Sequence, residues 1–108
     1  MLSFTFAARC DMGLVRAENQ DNFCLDGVFV PAELADGPAV VAGGPSRAGY
    51  LAVFDGMGGE AEGGFAALTS AREAAAMRHE LSRCRTGDEI KARVLAFTET
   101  ANGLVAAR

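Results

Sequence analysis

The chain predicts an α+β fold, with strands first, helices last, and the change made at a glycine-rich turn. Three observations carry this. Residues 3–10 alternate: Phe4, Phe6, Ala8 and Cys10 fall on one face and Ser3, Thr5, Ala7 and Arg9 on the other, which is the period of a half-buried strand. Residues 50–54 form a short apolar run that stops at Asp55 and is followed by glycines at 56, 58, 59, 63 and 64. From there to the last residue, apolar side chains recur at helical spacing. A chain of 108 residues has room for one small domain.

Taken in order, the first strand is broken by Asp11-Met12-Gly13, and a dense polar stretch runs from there to Asn22. Its plainest reading is a solvated loop in which Asn and Asp side chains make local turns. Residues 23–30 read as a second strand, with Asp26-Gly27 as a bulge or turn in its middle. Residues 31–49 hold all three prolines, Pro31, Pro38 and Pro45, together with four glycines, and read as a long connecting loop without chemistry of its own. The third strand, 50–54, does not alternate, so cover on both faces is expected. A helix over 64–83 places Ala67, Ala71, Ala74, Ala75 and Leu81 on one face. Thr86 and Glu89 match a capping box that opens a second helix over 88–107, and this helix continues through Asn102-Gly103. The single histidine, His79, sits on the polar side of its helix and reads as solvated. Three strands and two helices leave sheet edges open.

The bulk numbers exclude several classes. The net charge is −4 and the basic residues are scattered, which disfavours nucleic acid and anionic membranes as partners. Cys10, Cys24 and Cys84 are odd in number and far apart, so neither a disulfide framework nor a zinc cluster is expected, and a cytoplasmic setting is. No apolar run approaches the length of a membrane span. The glycine-rich turn is the informative stretch. Glycines this dense belong where backbone turns sharply or comes close to something. An aspartate at the end of a strand, followed by bare backbone, points to an oxygen-lined site for a hard cation.

Two stretches combine into a resemblance. Residues 11–23, Asp11-Met12-Gly13-Leu14-Val15-Arg16-Ala17-Glu18-Asn19-Gln20-Asp21-Asn22-Phe23, resemble the first signature of the metal-dependent PP2C-type (PPM) serine/threonine phosphatases, D-x-G-x-x-R-x-x-N-[QE]-D-x-[FY]. Val53-Phe54-Asp55-Gly56-Met57-Gly58-Gly59 resembles the second, in its bacterial form D-G-M-G-G. The resemblance implies that residues 1–108 correspond to the N-terminal half of a β-sandwich flanked by antiparallel helix pairs. It implies two Mn²⁺ or Mg²⁺ ions in the complete site. Asp55 would bridge them, Gly56 would give one its backbone carbonyl, and Asp21 would bind the same ion or hold its waters. Arg16 would grip the phosphate of a phosphoprotein substrate, a task that suits a bidentate guanidinium. The implied reaction is direct hydrolysis of phosphoserine or phosphothreonine by a water activated between the metals. Met57 stands where some members carry a histidine proposed as general acid, so the leaving-group proton would come from elsewhere. Glu60 and Gly64 depart from the pattern only at its periphery.

The family's later aspartates, in a G-D-[ST]-R-like and a D-N-x-[ST]-like segment, are not among these residues. The chain by itself is therefore expected to be inactive. A competing reading is a shortened, non-catalytic homologue that binds metal or phosphopeptide without turnover. A nucleotide-binding domain fits less well, because Gly56-Met57-Gly58-Gly59 lacks the G-x-x-x-x-G-K-[ST] loop and the one lysine, Lys91, is remote.

Overall fold

The structure, a computed structural model, describes residues 2–46, 49–57 and 60–108, with the side chains of Glu60 and Ala61 excepted. Gly58 and Gly59 of the second signature lie outside the described residues, as do Arg47 and Ala48. The strands are β1 (Phe4–Cys10), β2 (Asp21–Leu25), β3 (Val28–Phe29), β4 (Ala39–Ser46) and β5 (Leu51–Asp55); the helices are α1 (Glu60–Ala76), α2 (Arg78–Ser82) and α3 (Gly87–Ala106). This is an α+β fold with two small antiparallel sheets, β1-β4 and β3-β2-β5.

The layers follow from side-chain alternation. Phe23 and Leu25 of β2 join Cys10 and Val30 in a buried cluster, with Phe6 and Ala8 of β1 and Ala39 and Val41 of β4 packed against it. That cluster is where the two sheets meet. The opposite face of the three-stranded sheet receives α1, whose Ala67, Ala71 and Ala74 are buried. Alanines let the helix axis come close to the strands, which larger side chains would hold away. The α3 helix packs beside α1, and its Phe97 meets Phe54 of β5 edge-on, with ring centroids 6.0 Å apart.

Several expectations need correction. The third strand is not covered on both faces: β5 alternates, with Leu51 and Val53 exposed and Ala52 and Phe54 half-buried. The strand buried on both faces is β2, in which Asn22 to Leu25 are all buried. Residues 31–49 are not a plain loop, because they contain a single 3-10 turn at Ala32–Leu34 and the whole of β4. Prolines argued against a strand there, but among the described residues β4 is paired only with β1, where a missing N–H is tolerated, and the register is irregular between Phe4 and Phe6. Residues 23–30 are two strands instead of one, divided at the turn expected at Asp26-Gly27. Asp26 (φ 47°) and Gly27 (φ 94°) form a two-residue turn between β2 and β3, the left-handed geometry a tight hairpin needs. The expected helix over 64–83 starts earlier, at Glu60, and is interrupted at Met77 (φ −85°, ψ 0°), which separates α1 from α2. The second helix agrees closely: Thr86 Oγ1 accepts the Glu89 N–H at 3.2 Å, while Glu89 Oε2 accepts the Arg85 N–H at 2.6 Å.

Candidate functional site

Asp21 opens β2 and Asp55 closes β5, and the antiparallel register sets them directly opposite each other. Gly56 donates its N–H to the Gln20 carbonyl at 2.9 Å, so 20 and 56 form a hydrogen-bonded pair. Pairs alternate along an antiparallel ladder, so 21 and 55 form the close, non-hydrogen-bonded kind, with Cα atoms about 4.5 Å apart. Side chains of such a pair share a face. Both aspartates are exposed, and they lie on the face that turns toward β1 and β4.

Gly56 is buried beside them. A Cβ built on it would collide with the backbone carbonyl oxygens of Gly63 and Gln20, neither of which can rotate away. Gly63, in the first turn of α1, is confined less severely. A Cβ there would sit 3.0 Å from the Gln20 side chain and 3.1 Å from the Met57 carbonyl oxygen. The glycines therefore let the start of α1 and the 19–20 backbone close around the end of β5.

The polar stretch before β2 divides in two. Residues 13–17 are exposed, as a solvated loop requires, but Asn19, Gln20 and Asn22 are buried. Asp11 makes the local turn expected of it, its Oδ1 accepting the Gly13 N–H at 2.9 Å while Gly13 takes φ 82°. The Gly13 N–H first, and then the Arg9 guanidinium, hold the Asp11 carboxyl below the usual carboxylate range. Asn22 substitutes for a missing strand partner: its Nδ2 donates to the Val30 carbonyl at 2.8 Å and its Oδ1 accepts the Val30 N–H at 3.0 Å. Gln20 Oε1 accepts from the exposed Arg16 guanidinium at 3.4 Å. This contact places Arg16 on the same loop end as Gly56, through Gln20.

Asp21, Asp55 and Gly56 are thus brought to one end of the sheet, and Arg16 stands on the adjoining loop. Their donors toward a cation would be carboxylate and carbonyl oxygens, a set that suits Mg²⁺ or Mn²⁺ better than zinc. Among the described residues, no group of three or more His, Cys, Asp or Glu side chains is placed to hold a metal. His79 is exposed, as expected of a solvated histidine, and Met57 is exposed beside the site. Asn19 and Gln20 stand at the N-[QE] positions of the first signature, whereas Asp36 was not legible as part of this end of the molecule. The burial of Asn19 and Gln20 leaves no periodic mark in the sequence, and the exposed Asp36 lies in the stretch that read as a loop without chemistry.

A groove of about 390 Å³ runs from Asp11 and Asp21 between the sheets, past Phe23 and Leu25, to Leu51 and Val53. Compared with family models, with curated proteins and with solved structures, the chain matches none.

Proposed function

We propose that this chain carries the first ligand set of a PP2C-type, metal-dependent serine/threonine protein phosphatase. The observation that carries the reading is the register. The aspartate of each signature stands opposite the other on adjacent strands, beside a glycine whose position admits no side chain. Asp21, Asp55 and the Gly56 carbonyl would hold one Mn²⁺ or Mg²⁺. Bound there, the ion supplies Lewis-acid neutralisation of phosphoryl oxygens and an acidified water. Arg16, exposed and tied to Gln20 through one nitrogen, has donors left for a phosphate on a phosphoserine or phosphothreonine side chain. The PP2C-like arrangement of a complete sandwich belongs to this proposal too.

The second reading is a homologue that binds metal or phosphopeptide without turnover. It is favoured by the two-carboxylate site, since no third ligating side chain joins Asp21 and Asp55 among the described residues. The first reading requires the metal, as does the metal-binding form of the second. Titrating the chain with Mn²⁺ should broaden the amide signals of Asp21, Asp55 and Gly56 before those of Phe23 or Leu25. Asp55→Asn should abolish this selectivity. Uniform broadening along β2 would refute the site. Turnover of p-nitrophenyl phosphate tests the second reading: none is expected from this chain with excess Mn²⁺, and activity lost in Asp55→Asn would exclude the non-catalytic homologue and show that two carboxylates suffice.

A further inference from the structure

We propose that Asp36, on the turn that leads into β4, is a positioning residue for the Asp21 carboxylate; this rests on the metal reading above. The argument starts from the backbone of Asp21. In a non-hydrogen-bonded pair with Asp55, its N–H and C=O point away from β5. On that side β3 reaches only Cys24 and Leu25, so no strand receives them. Buried or half-buried backbone groups need partners, and these are supplied by side chains. Asn19 Oδ1 accepts the Asp21 N–H at 3.0 Å, and the Cys10 thiol donates to the Asp21 carbonyl at 3.5 Å.

Asn19 also donates from Nδ2 to Cys10 Sγ at 2.9 Å, which closes a ring of contacts around the Asp21 peptide. Asn19 ties this ring to the turn before β4. The buried Asn19 presents its backbone N–H to Asp36 Oδ1 at 3.1 Å, across seventeen residues of sequence. A carboxylate is a strong acceptor for an N–H, and it fixes the Asn19 backbone from which the amide side chain reaches Asp21. Asp36 therefore acts on the site through Asn19, without touching a metal.

The test uses the 108-residue chain, Mn²⁺ alone as probe, and amide hydrogen exchange as a readout that needs no metal. Asp36→Ala should raise the Mn²⁺ concentration that broadens the Asp21 and Asp55 signals by about tenfold, the usual cost of losing an outer partner. It should speed exchange at Asn19 and Asp21 while leaving Phe23 and Leu25 protected. Asp36→Asn retains an Oδ1 acceptor and should keep both the wild-type midpoint and the wild-type exchange rates. The proposal is overturned by a wild-type midpoint in Asp36→Ala, by exchange that speeds along all of β2, or by an Asn variant as impaired as the Ala one. Wild-type protein that binds no Mn²⁺ overturns the metal reading, and this proposal falls with it.

Discussion

Gly56 is the position where a single methyl group should matter most. Its neighbours are two backbone carbonyls, so the chain can make room only by moving β5 away from the start of α1. Overpacking of this kind costs about 2–3 kcal/mol. In a domain of this size Gly56→Ala should therefore lower the melting temperature by about 10 °C or more. Gly37→Ala is the control: an added Cβ there meets no atom, and the melting temperature should hold or rise slightly. Thermal unfolding followed by circular dichroism decides between them. Equal midpoints for the two variants would mean that the Gly56 backbone does not need its close approach. At this scale the sequence was informative where chemistry is local. Asp55, Gly56 and the Asp11–Gly13 turn announce themselves by residue type and spacing. Asn19 and Gln20 are marked by the first signature, but their burial is not, because it is imposed by parts of the chain far away.

Tyr50 shows how elements are tied to one another. Its hydroxyl donates to the Ala74 carbonyl at 2.6 Å, joining the start of β5 to the last turns of α1, and the buried Cys24 thiol lies 3.7 Å from it. Burial first, and then the Cys24 contact, push the phenol well above its ordinary range. A raised acid keeps its proton in the folded state after the unfolded chain has lost its own. The contribution to stability is thus complete below about pH 10, the ordinary tyrosine value, and declines as pH rises from there toward the folded value. Tyr50 is the one tyrosine in the chain, so ultraviolet titration reports it alone. The phenolate band should stay absent at pH 10 and appear only with alkaline unfolding. Tyr50→Phe should cost about 1 kcal/mol at neutral pH. Ionisation at pH 10 with the fold intact would break this account. Elements with strong local signals, β1 and the capped α3, were legible with their boundaries nearly intact. The β4 strand was hidden because its propensity is overridden by pairing with β1, a contact between residues far apart in the chain.

At the scale of the molecule, the three-stranded sheet ends at β5, whose outer edge has no partner strand among the described residues. Edge strands in soluble proteins usually carry a lysine, a proline or a bulge against unwanted pairing. Leu-Ala-Val-Phe-Asp carries none, and Val53 is 81% exposed. Val53→Lys should suppress concentration-dependent association, measured by light scattering, while moving stability by no more than about 0.5 kcal/mol. Wild-type protein that stays monomeric up to high concentration would show that the edge is protected in some other way. The α+β class and the order of strands before helices were readable from periodicity alone. Which strand lies at the centre was not: β5 has the more continuous apolar run, but centrality is decided by how many layers pack on a strand, and β2 has both.

The pairing of β2 with β5 has a further consequence, one of parity. Asp21, Phe23 and Leu25 occupy one face of β2, and Asp55, Val53 and Leu51 stand opposite them in turn. A slip of one residue would turn Phe23 and Leu25 out of the cluster between the sheets, and the same slip would carry Asp21 to the α1 side. Misregistered molecules therefore lose their core and their carboxylate pair together. The apolar residues act as an error check on the acidic ones: any chain that has folded well enough to persist has also aligned the two aspartates.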